Sequence, residues 1–190
     1  QAQYFLGLSL IQVGQNKEAL KYLNMAVQSQ PKFSEAFNHL GKTYQKLGNY
    51  AKAIAALNSA IRINPDYTIA FNNLGTIYTF KKEYAKAIRS FKQALKINPE
   101  FQNGLLNLAM IYEILGRFSE AIETYLKLLD INPNHTDAMF SLGWILMDEK
   151  RYLEAAPFFK RVIHLDPAAN NYYGLGLVYN EMGRNEDALL

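Results

Sequence analysis

Five prolines, Pro31, Pro65, Pro99, Pro133 and Pro167, stand 34 residues apart, and only Pro157 is out of step. A fixed period of this length means that each stretch is one supersecondary unit. Such a unit cannot bury its apolar face alone, so neighbouring units must bury it mutually. Three of the prolines follow Ile-Asn, at Ile63-Asn64, Ile97-Asn98 and Ile131-Asn132, and Leu165-Asp166 before Pro167 is a near match.

Other positions keep the same step. Leu-Gly occurs at Leu6-Gly7, Leu40-Gly41, Leu74-Gly75 and Leu142-Gly143, with Leu108-Ala109 as the conservative variant. Three residues after the small one comes Leu10, Tyr44, Tyr78, Tyr112 or Leu146. An alanine follows at Ala19, Ala53, Ala87, Ala121 and Ala155, and four residues on stand Leu23, Leu57, Phe91, Tyr125 and Phe159. The set Phe37, Leu40, Gly41, Tyr44 is spaced for one helix face, and Tyr50, Ala53, Ile54, Leu57 for another. Gly48-Asn49 suits a left-handed cap between them. Gly14, Gly116 and Gly183 hold the same place, whereas Lys82 and Lys150 there require a different solution. Asn-Pro then stops the second helix and starts the next unit. Gly41 and Ala53 are small where two helices approach closely, with Tyr44 and Leu57 filling the space beside them.

These phased copies resemble the tetratricopeptide repeat family over nearly the whole chain. In the second unit Phe37, Leu40, Gly41, Tyr44, Ala53, Leu57, Ala60 and Pro65 fill the family pattern. The resemblance implies an all-α fold, a right-handed α-solenoid (superhelix) of tandem antiparallel helix hairpins. As a single array over 1–190, its units are 1–33 (partial), 34–67, 68–101, 102–135, 136–168 and 169–190 (partial). The chain starts inside the first unit and ends just into the second helix of the sixth, as a fragment or ordered part of a longer array would. In the sixth unit Tyr172, Leu175, Gly176, Tyr179, Gly183 and Ala188 match one residue early. Pro157 removes one hydrogen bond from the second helix of unit five, where a bend is expected.

In this family first helices line the concave face, and the resemblance places the residues between core positions in that groove. They are Asn38, His39 and Lys42 in unit two, and Asn72, Asn73 and Thr76 in unit three. Unit four offers Leu106, Asn107 and Met110; unit five Phe140, Ser141 and Trp144; unit six Tyr173 and Leu177; and Tyr4, Phe5 and Leu8 hold the place in unit one. Asn73 and Asn107 precede the Leu-Gly step, which is similar to the asparagine ladder of the O-linked N-acetylglucosamine transferase arm. An amide donates and accepts, so it can bond an extended backbone whatever its sequence. His39 and Ser141 interrupt that ladder. The chaperone-tail clamp of the family is not reproduced, since Lys42 is the only basic residue among the groove positions of units two to four. Leu106 and Met110, Phe140 and Trp144, and Tyr173 and Leu177 are pairs four apart. They form an apolar stretch that either packs between first helices or anchors a partner.

Composition narrows the remaining choices. A hydrophobic content of 49% is enough for a buried core and argues against disorder. No apolar run approaches the roughly 18 residues of a membrane span, so no membrane insertion is expected. Cysteine is absent, which excludes disulfides and thiolate sites and fits either the cytosol or an export compartment. Gly41-Lys42-Thr43 imitates a phosphate loop, but Ala36 replaces its first glycine and the segment is helical. Gly174-Leu175-Gly176 lacks the third glycine of a dinucleotide loop. His39, His135 and His164 share no metal-ligand spacing, and Asn134-His135-Thr136 is a glycosylation sequon in an exposed turn. No catalytic residue, metal or cofactor is expected.

Residues 1–98 carry 13 Lys/Arg and 4 Asp/Glu, a balance of +9, against 7 and 13, or −6, in residues 99–190. This split fits solvated drift, a partner of mixed charge, or head-to-tail self-association. Lys81, Lys82, Lys86, Arg89, Lys92 and Lys96 cluster on a second helix, which the resemblance turns outward, so no nucleic acid is expected. The expected function is a protein–protein interaction scaffold that binds a peptide or protein segment in its groove. The alternative is the substrate-recruiting arm of a larger enzyme such as a glycosyltransferase.

Overall fold

The computed structural model describes residues 1–167 and 169–184. These residues form helices joined by short turns, with no strand among them: α1 (Ala2–Gln12), α2 (Asn16–Ser29), α3 (Ser34–Lys46), α4 (Tyr50–Ile63), α5 (Thr68–Phe80), α6 (Tyr84–Ile97), α7 (Gln102–Ile114), α8 (Phe118–Ile131), α9 (Thr136–Asp148), α10 (Tyr152–Leu165) and α11 (Ala169–Glu181). The fold is thus all-α, of the solenoid class of tandem helix hairpins. The chain divides into two compact units, Gln1–Gly104 and a second from Leu105 onward.

In the first unit α1–α2, α3–α4 and α5–α6 are hairpins. They stack through α2 on α3 and α4 on α5, and α3 also touches α1 and α5. Contact between successive first helices places them side by side along one face of this unit. The core is built from the periodic residues: Leu23, Ala36 and Leu40 in one cluster, and Ala53, Leu57, Ala70, Leu74 and Ile77 in the next. In the second unit α9–α10 is a hairpin, α8 packs on α9, and α11 lies against both α9 and α10. Tyr125, Leu128, Leu142, Ile145 and Phe159 fill its interior.

The small residues mark the closest helix approaches. A Cβ on Gly41 would stand 2.7 Å from Leu57 Cγ, and one on Gly143 2.9 Å from Phe159 Cζ. The Asn-Pro turns have a local cause. Asn64 Oδ1 accepts from the Asp66 amide at 3.1 Å while the Asn64 carbonyl accepts from the Tyr67 amide at 3.2 Å. Asn98 and Asn132 repeat both bonds. The asparagine side chain therefore folds the turn that proline's fixed φ has begun. Pro157 lies inside α10 and is solvent-exposed, and the helix continues through it to Leu165. α11 carries the one-residue phase shift, with Leu175 and Tyr179 buried; the Ala188 match lies outside the described residues.

The turn between the helices of each hairpin is solved in one way throughout. Gly48 has φ +74°, its amide donates to the Gln45 carbonyl, and the Asn49 amide donates to the Tyr44 carbonyl, each at 2.9 Å. This pair of bonds closes the last turn of α3. Lys82 and Lys150 make the same bonds with φ of 58° and 61°, a left-handed conformation that disfavours a residue with a Cβ. Lys82→Gly and Lys150→Gly should therefore each raise the free energy of unfolding by about 1 kcal/mol. Urea denaturation measures this, and unchanged midpoints would contradict it.

Candidate functional site: the first-helix faces of the two units

The groove positions fall into two rows along the first helices. In the first unit the row holding Tyr4, Asn38 and Asn72 is turned toward neighbouring helices. Asn38 is 2% exposed and Asn72 8%, although the sequence places both in an open groove. For Asn38 the reason is a polar stitch between hairpins. Asn73 Nδ2 donates to Asn38 Oδ1 at 2.8 Å, joining α5 to α3, and Asn38 also hydrogen-bonds with the Tyr67 hydroxyl. Burial raises the Tyr67 phenol to about 12, so it stays protonated throughout the physiological range. One repeat earlier the same relation is aromatic, with the Tyr4 and His39 rings 5.7 Å apart. The Asn73–Asn38 bond thus helps hold the α3–α4 and α5–α6 hairpins in register.

The second row faces outward. Lys42 is exposed and Thr76 half-buried, its hydroxyl donating to the Asn72 carbonyl at 3.1 Å. Two clefts open beside this row. One, of about 200 Å³, lies between α1 and α3 and is lined by Leu8, Ile11, His39, Lys42 and Lys46. The other, of about 360 Å³, lies between α3 and α5 with Lys42, Gln45, Lys46, Tyr50, Asn73, Thr76 and Phe80 around it. Burial, and then the nearby Lys42 ammonium, lower the His39 pKa and favour its neutral ring. Phe80 is 61% exposed and stacks on Tyr50, ring centroids 6.3 Å apart. Gln45, Lys46, Tyr50 and Phe80 were not among the groove positions read from sequence. Lys46 and Phe80 continue the row by one helical turn beyond Lys42 and Thr76, and that i+4 spacing is the signal that would have found them.

The second unit presents a different surface. Leu106 and Asn107 are half-buried and Met110 is exposed. A cavity of about 250 Å³ is lined by Leu106, Met110, Glu113, Ile114, Asp137 and Ser141. The Tyr125 ring is fully buried, but its hydroxyl reaches this cavity wall and donates to Glu113 Oε2 at 2.9 Å. Burial pushes the Tyr125 phenol well above its ordinary value. Farther along, Trp144 packs edge-on to Phe159 at 5.5 Å and to Phe140 at 5.9 Å, and lies 6.3 Å from Tyr173. Phe140 and Trp144 are half-buried and Tyr173 is 63% exposed. The apolar stretch therefore packs on itself and also keeps an open edge.

Other features single out no reaction centre. Gly41-Lys42-Thr43 lies within α3, Gly174 abuts Phe159, and His135 Nδ1 caps α9 by accepting from the Ala138 amide at 3.3 Å. Lys81 and Lys86 both pair with Glu83. Among the described residues no group of side chains is arranged to hold a metal, and no helix is long and apolar enough to cross a membrane.

Comparison with known proteins agrees with this architecture. Three family models, each described as Tetratricopeptide repeat, match residues 33–100, residues 81–143, and residues 1–33 together with 136–168. No curated protein matches the chain. Among solved structures, pilF of Pseudomonas aeruginosa superposes with a TM-score of 0.86 at 20% identity, covering 99% of this chain and 86% of that one. YrrB, described as a TPR protein with an unusual peptide-binding site, gives 0.75 at 23% identity over 88% and 87%. MamA gives 0.76 at 25% identity over 83% and 92%. These likenesses concern the fold, and the repeat spacing, the capped hairpins and the matches along residues 1–168 lead to one conclusion: the chain belongs to the tetratricopeptide repeat family.

Proposed function

We propose that this chain is an interaction scaffold that holds a segment of another polypeptide against its first-helix faces, and that binding rather than catalysis is its work. The observation that carries the reading is the outward side chains of each unit taken by itself, Lys42 and Thr76 in the first and Met110 in the second. These side chains border open clefts, while in the first unit Asn38 is bonded to the neighbouring hairpin and Asn72 is buried. Side chains outside the core beside concave space are the usual makings of a binding site. The family relationship and the peptide-binding site described for YrrB support the same reading.

A photo-reactive residue tests which face is used. Placed at Thr76 or Met110, benzoylphenylalanine is expected to cross-link a polypeptide partner in cells. At Arg89 on α6 or Leu126 on α8 it should not. Cross-linking confined to the second-helix positions would sink the proposal.

A further inference from the structure

The two clefts of the first unit share α3 as a wall, and that wall is basic. Lys42 and Lys46 stand one turn apart and line both clefts. Both are exposed, and among the described residues neither ammonium has a carboxylate partner. No acidic side chain lines either cleft. This differs from Lys81 and Lys86, which Glu83 pairs, and from Lys127, which pairs with Glu123 at 2.7 Å. The neighbouring His39 is biased towards its neutral form, so it offers hydrogen bonds more than charge.

The rest of the larger cleft is suited to a polypeptide. Asn73 donates to Asn38 and Thr76 donates to the Asn72 carbonyl, yet Asn73 Oδ1 and Thr76 Oγ1 keep acceptor capacity. Backbone amides supply the donors such acceptors need, whereas a phosphodiester backbone has none. At the end of the cleft the exposed Phe80 ring, supported by Tyr50, offers an apolar landing.

We infer that this cleft takes an acidic segment of a partner polypeptide, with side-chain carboxylates against Lys42 and Lys46 and an adjacent bulky apolar side chain against Phe80. The inference rests on the first-helix face being the binding side. Charge complementarity selects the acidic class, since two unpaired cations sharing a cleft repel a basic segment and favour an anionic one.

Fluorescence anisotropy with a short synthetic peptide, acetylated and amidated at its ends, tests this. Glutamates flank a phenylalanine in the probe, and glutamine replaces glutamate in a matched control. The glutamate peptide should bind the intact chain, and its affinity should fall as salt rises. Lys42→Ala with Lys46→Ala should weaken binding about tenfold, and Phe80→Ala should also weaken it. Lys96→Ala, on the exposed side of α6, should leave binding unchanged, and circular dichroism verifies that each variant is folded. Equal binding of the glutamine peptide, still lost in Phe80→Ala, would overturn the acidic class while keeping the first-helix face. A requirement for a free terminal carboxylate would overturn the side-chain assignment. Binding insensitive to Lys42, Lys46 and Phe80 together, or no binding at all, would overturn the inference, and the insensitive result would also count against the first-helix face.

Discussion

Phe91→Ala should lower the stability of the first unit by about 3–5 kcal/mol, and it should reverse the effect of a second substitution at Gly75. Phe91 is 1% exposed. Its ring atoms Cε1, Cδ1 and Cζ lie 2.5, 2.7 and 2.8 Å from where a Cβ on Gly75 would stand. An aromatic ring held in a helix pair cannot retreat by the ångström or so that a methyl group demands. Gly75→Ala alone should therefore cost about 1–3 kcal/mol, despite the roughly 1 kcal/mol that alanine gains over glycine in helix propensity. With the ring gone, the clash is gone, and Gly75→Ala should become neutral or stabilising in the Phe91→Ala background. Urea denaturation of the four proteins in this double-mutant cycle measures the coupling. Additive effects would contradict the close approach. The position one repeat later carries Ala109, fully buried, so the repeat itself can hold a Cβ there, and the need for glycine is set by the facing side chain, Phe91 at Gly75, Leu57 at Gly41 and Phe159 at Gly143.

The hairpins and their boundaries were legible because each depends on chemistry within one repeat. Leu40-Gly41 against Leu57, the Gly48 cap and the Asn64-Pro65 turn can all be read from residues fewer than 34 apart. Lys82 and Lys150 are the instructive exceptions inside that set. The lack of glycine there points to a different cap, yet the structure gives both lysines the same left-handed conformation as the glycines, because the position in the hairpin imposes it whatever the residue. The two rows on the first-helix face were not separable in the same way. Asn38 and Lys42 are four residues apart on one helical face, and pattern alone treats them alike. Their different burial comes from contacts between repeats, Asn73 reaching Asn38 and Tyr67 reaching it from the start of α5. That geometry depends on how hairpins stack, which no single repeat encodes. The aromatic stretch shows the same limit. Trp144 is half-buried because Phe159 from α10 and Tyr173 from α11 close on it.

The proposed binding role depends on that division between buried positions, Asn38 and Asn72, and open ones, Lys42 in the first unit and Met110 in the second. The absence of cysteine from the sequence allows a direct measurement, the rate of thiol labelling by a maleimide at single introduced cysteines. Lys42→Cys and Met110→Cys should label at close to the rate of an unfolded chain, because Lys42 is exposed and Met110 is 45% exposed. Asn38→Cys and Asn72→Cys should label at least about 100-fold more slowly, since reaction there requires local opening, with circular dichroism verifying that each variant stays folded. Fast labelling at the first pair and protection at the second is the result predicted. Equal rates at all four positions would contradict the account and return Asn38 and Asn72 to the open face.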